Sequence, residues 1–144
     1  MSKLKSWFLV PTLSNKASVA LLILRLIAGV AMTQHGWGKM QQPFSWMPLS
    51  PIPGFFQFLA AFSEFGGGIA WIVGALIPLA SLGMAITMLV AAGFHAIVMG
   101  DPMVSKGGGS SYELAIIYFA ISLVLMFVGP GKFSLDTKIF GEKK

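Results

Sequence analysis

Apolar residues gather along the chain into four long stretches, at residues 17–34, 55–77, 79–99 and 112–128, with the polar residues concentrated between them. At 1.5 Å per residue the first stretch would span about 27 Å as a helix, close to the thickness of a bilayer's hydrocarbon core. A helix is the only open-chain structure that satisfies its own backbone in lipid. The pattern therefore predicts an all-α fold, a four-helix transmembrane bundle forming a single integral membrane domain over residues 1–144.

The breaks between stretches carry their own signals. Pro78 interrupts what would otherwise be one very long apolar run, which predicts a tight hairpin between the second and third helices. Gly129, Pro130 and Gly131 stop the fourth helix. Residues 132–140 then read as a short amphipathic segment, capped by Ser134 or Asp136, with Phe133 and Phe140 dipping into the interface. Small residues recur every four positions at Gly66, Ala70 and Gly74, and again at Gly83, Thr87 and Ala91, a spacing that favours close helix packing. The loop MQQPFSWMPLSPIPG, with four prolines and Trp46, predicts a semi-rigid cover at the membrane surface.

Composition agrees with this reading. Hydrophobic residues make up 56% and charged residues only 10%, far from the roughly 25% charge of soluble domains. The formal charge is +5, but the basic residues sit at the two ends of the chain and not on a face, so they read as topology signals, and nucleic acid is set aside as a partner. Lys3, Lys5, Lys16, Lys132, Lys138, Lys143 and Lys144 flank the end shared by the two termini, against Lys39 and Lys106 on the other. That asymmetry predicts cytoplasmic N- and C-termini. The apolar run in MSKLKSWFLVPTLSNK is too short for a signal-peptide core, so the first helix is expected to be retained. The chain has no cysteine, which excludes disulfides, thiolate metal sites and iron–sulfur clusters; electron transfer would need a bound carrier or a partner subunit.

Against this background the ionisable residues inside the apolar stretches stand out. Arg25 and Glu64 are expected at one depth near mid-membrane, Arg25 about 15 Å below His35 and Glu64 about 13 Å below Phe55 by helical rise. Glu64 is then the natural partner of Arg25, with Gln34, Thr87 or water completing the hydrogen bonds. Such a pair either locks helix 1 to helix 2 or marks a functional site. His35, Lys39, His95 and Glu113 are expected in an outer polar layer suited to a quinone headgroup or to proton exchange. Aromatic residues near helix ends read as interfacial belts, and the nine methionines as gap fillers with no copper-specific spacing. The two histidines have no spacing diagnostic of haem, so no metal site is predicted.

In succession, RLIAGVAMTQHGWGKM, FLAAFSEFGGGIAWIVGALIPLASLGMAI, AAGFHAIVMGDP and GGSSYELAIIYFAISLVLMFVGPGKFSLD resemble the DoxX family of small four-helix bacterial membrane proteins, over residues 21–136. The resemblance carries Arg25, His35, Lys39, Glu64, His95 and Glu113 over as matching positions. It implies an inner-membrane location and the membrane subunit of a redox complex: thiosulfate:quinone, quinol-oxidase-like or linked to oxidative stress. Quinone is then the expected cofactor and a redox protein the expected partner. The same cavity would also serve a small-molecule or ion transporter or a sensor, for which four helices per protomer would require a homo-oligomer. A passive scaffold for a partner would need the buried charges only for folding.

Overall fold

The computed structural model describes residues 7–143; Lys3, Lys5 and Lys144 of the charge asymmetry lie outside the described residues. The fold is all-α, with no strand among the described residues. Helix α1 covers Asn15–Met40, α2 Gly54–Val73, α3 Ile77–Gly93, α4 Glu113–Val128 and the short α5 Leu135–Phe140. A π-helical turn, Phe94–Met99, prolongs α3. By length and composition α1, α2 and the continuous α3–π helix can each cross a membrane, and α4 is a shorter apolar helix of 16 residues.

Ser14 starts α1 by accepting the Ala17 amide on its hydroxyl, and the helix runs six residues past the predicted end at Gln34, so His35 and Lys39 are helical. The α2–α3 hairpin is made differently from expectation. The helix stops at Gly74, in the left-handed region at φ +71°, and Leu76 follows at φ +50°. Pro78 lies in the first turn of α3, where its missing amide hydrogen has no helical acceptor to lose.

Successive helices pack on one another in chain order, whereas α1 and α4 meet only weakly. The α1–α2 seam is set by glycine. A methyl group on Gly68 would lie 2.6 Å from the Thr33 backbone nitrogen, and one on Gly36 would overlap the Phe65 backbone. Gly66, from the predicted small-residue row, faces only the Phe62 ring of its own helix, while Gly83 does lie against Ser63 of α2. Trp71, Ile77, Met84 and Leu125 form the buried centre, where the Trp71 indole donates to the Ser81 hydroxyl at 3.0 Å. The two chain ends meet at one face of the bundle. The Val10 amide donates to the Gly141 carbonyl at 3.1 Å and the Lys143 amide to the Val10 carbonyl at 2.8 Å, so the described chain crosses the bundle an even number of times.

Candidate functional site

The expected Arg25–Glu64 pair does not form. Arg25 is buried at the terminal face, and its guanidinium reaches only backbone oxygens: Nε donates to Trp71 at 2.9 Å, Nη1 to Pro130, and Nη2 to Ile72 at 3.4 Å and Phe133 at 3.0 Å. These carbonyls lie in the last turn of α2, beyond its regular helical hydrogen bonds, and in the GPGKF turn after α4. A methyl group on Gly74 would lie 2.9 Å from the Arg25 guanidinium carbon, which fixes Arg25 at the level of the hairpin. Glu64 precedes Gly74 by ten residues, about 15 Å along α2, so the two charges occupy different layers.

The nearest carboxylate in charge terms is Asp136. It closes the same lock, with Oδ1 accepting the Leu76 amide at 2.7 Å and Oδ2 the Ile77 amide at 2.9 Å, while its own amide donates to Gly74. Asp136 therefore caps α3 from a distance, whereas Ser134 caps α5 by accepting the Thr137 amide. Burial pushes the Asp136 carboxyl up from its ordinary value, against the downward pull of the two amides and Arg25.

Glu64 finds its partner in Lys39, at 2.6 Å between Nζ and Oε1. The Glu64 side chain is 4% exposed and that of Lys39 27%. Glu64 is ten residues from the first residue of α2 and ten from Gly74, so the pair sits near the middle of the span. Its other oxygen, Oε2, is buried with no hydrogen-bond partner among the described residues. The Lys39 ammonium packs 4.5 Å from the centre of the Trp46 ring. Trp46 is held in turn, its indole donating to the Gln57 carbonyl at 2.9 Å. The Gln57 side chain latches the loop by accepting the Met47 amide and donating to the Met47 and Ile52 carbonyls. The proline-rich loop is thus folded back over α2 beside the ion pair.

The remaining expected members do not join this layer. His35 is exposed and makes no side-chain hydrogen bond among the described residues, and Glu113 is exposed at the start of α4. His95 lies in the π-helical turn, where Nδ1 meets Asp101 Oδ2 at 2.6 Å and the Asp101 amide returns to the His95 carbonyl at 2.9 Å. With Gly83 beside Ser63, His95 is roughly 18 Å further toward the loop face than Glu64's layer, by helical rise over the twelve steps from Gly83 to His95. No group of three or more potential metal ligands occurs among the described residues.

Asp101 and Gln57 carry parts of this arrangement that sequence reasoning did not assign. Gln57 is a lone amide among phenylalanines, a recoverable signal, because a buried amide demands backbone partners. Asp101 could be found only by expecting the Gly100 turn, φ +70°, to fold the chain back on His95. A separate groove of about 340 Å³, walled by Ile23, Leu24 and Ile27 of α1 and Leu114, Ile117 and Ile121 of α4, lies between these two helices and is almost wholly apolar, with Tyr118 in its lining.

Compared with known proteins, residues 20–98 match the DoxX family. The chain is also similar to the inner membrane protein YqjF of Escherichia coli, at 30% identity over 128 residues, covering 82% of this chain and 90% of the relative. No solved structure matches.

Proposed function

The chain belongs to the DoxX family, and on that footing we propose that it is a quinone-interacting membrane subunit of a redox complex, with the Lys39–Glu64 pair as the headgroup and proton site. It resides in the bacterial inner membrane with both termini cytoplasmic, in line with its similarity to an inner membrane protein and with the lysines at the terminal face. Quinone, when bound, supplies a two-electron, two-proton carrier that this cysteine-free chain lacks.

The observation that carries the reading is the buried, unsatisfied Glu64 Oε2 beside a half-buried ammonium. Native proteins leave few buried polar atoms unpaired, and intramembrane charges mark functional sites more often than not. Lys39 can donate to a carbonyl oxygen, and the Trp46 ring marks a place beside the ammonium that an aromatic headgroup can occupy. The test is equilibrium binding of a short-chain quinone to the purified protein in lipid nanodiscs. Saturable binding weakened by Lys39→Met, which removes the donor to the quinone carbonyl, supports the reading, and its absence in wild type refutes it.

One observation favours a scaffold instead: Arg25 and the GPGKFSLD turn are wholly engaged in holding the terminal face together. In that case a redox partner would dock on this face. Replacing Lys39 and Glu64 together by neutral residues would then leave complex assembly and turnover unchanged, whereas the quinone reading expects assembly without turnover.

A further inference from the structure

We infer that the Lys39–Glu64 site selects the reduced, hydroxyl-bearing form of its ligand over the oxidised form; the inference rests on the quinone reading above. The argument is one of donors and acceptors. Glu64 Oε1 already accepts a hydrogen bond from the Lys39 ammonium, and Oε2 is a buried acceptor with no donor among the described residues. An ammonium has three N–H donors, of which only the one to Glu64 is committed to a side chain or carbonyl here, and it has no acceptor. The open positions are therefore one acceptor and at least one donor, side by side.

A phenolic hydroxyl fits both at once, donating its proton to Oε2 while its oxygen accepts from Nζ. A quinone carbonyl can only accept. It would satisfy Lys39 but leave Oε2 buried and unpaired, next to a carbonyl oxygen that repels it. The ring has a place as well. An aromatic face already lies 4.5 Å from the ammonium in the form of Trp46, whose loop is held by hydrogen bonds through Gln57. A hydroquinone ring enters where the indole now sits, as the loop gives way, and keeps the cation–π contact. Glu64 and Lys39 then act as binding residues that read the redox state of the headgroup through its proton.

The test compares dissociation constants for a decyl-substituted benzoquinone and its hydroquinone, measured anaerobically on the full chain in nanodiscs. The hydroquinone is expected to bind about tenfold or more tightly, the usual weight of one hydrogen bond to a charged group. Equal binding, or tighter binding of the oxidised form, overturns the inference while leaving the quinone reading in place. No binding of either form overturns both. Glu64→Gln, whose amide can donate as well as accept, should abolish the preference. Should that variant fail to fold for want of a counter-charge, the pair Lys39→Met with Glu64→Gln leaves no buried charge and should likewise bind both forms alike. A preference that survives in this double variant overturns the assignment.

Discussion

Arg25 and Glu64 are both charged groups in apolar helices, and each is neutralised in its own way. Arg25 spends its planar fork of donors on four backbone oxygens from two segments, a task that a single-point ammonium cannot reproduce. Arg25→Lys is expected to cost about 2 kcal/mol or more through carbonyls left unpaired, read as a lowered unfolding midpoint in detergent. Asp136→Ala removes both caps of α3 and should cost about 1–2 kcal/mol, with the chain after Gly129 becoming sensitive to protease. His35→Gln should change stability by less than about 0.5 kcal/mol, since the ring is exposed. That buried charges required partners was legible in the sequence; which partners was not. Arg25 was matched to a carboxylate because carboxylates can be seen in a sequence, whereas carbonyls freed at a helix end cannot. Lys39 reads as lying beyond the first helix because the apolar stretch ends at Gln34, whereas α1 runs on to Met40.

At the scale of elements, the α1–α2 seam depends on backbones approaching through glycine. Gly68→Ala would drive a methyl group into Thr33 and the Gly29 carbonyl, both backbone neighbours that cannot rotate aside. Gly66→Ala meets only the flexible Phe62 ring at 3.5 Å. The first substitution is expected to lose folded protein on size-exclusion chromatography and the second to keep it, and the reverse order would show that the helices cross in another register. The four stretches and their order were legible, because apolar runs of that length have few other uses. The seam was not, since GGG offers three candidate rows and only the crossing decides among them. The hairpin shows a similar limit: Pro78 marked the break, but the turn is made by Gly74 and Leu76, held by a carboxylate some sixty residues further on.

In the whole molecule the two faces divide the work. The face bearing the termini is tied together by Arg25, Asp136 and the Val10 bridge, while the unsatisfied carboxylate lies near mid-span, next to the lysine on which the latched loop packs. Reporter fusions at the C-terminus and in the loop around Lys106 should report cytoplasm and periplasm respectively. The central claim is that Lys39 and Glu64 neutralise each other inside the bundle, and a double-mutant cycle on unfolding free energy tests it most directly. Lys39→Met and Glu64→Gln are each expected to cost about 2 kcal/mol or more, and the double variant less than the sum of the two, because it strands no charge. Costs that simply add would contradict the pairing and, with it, the site.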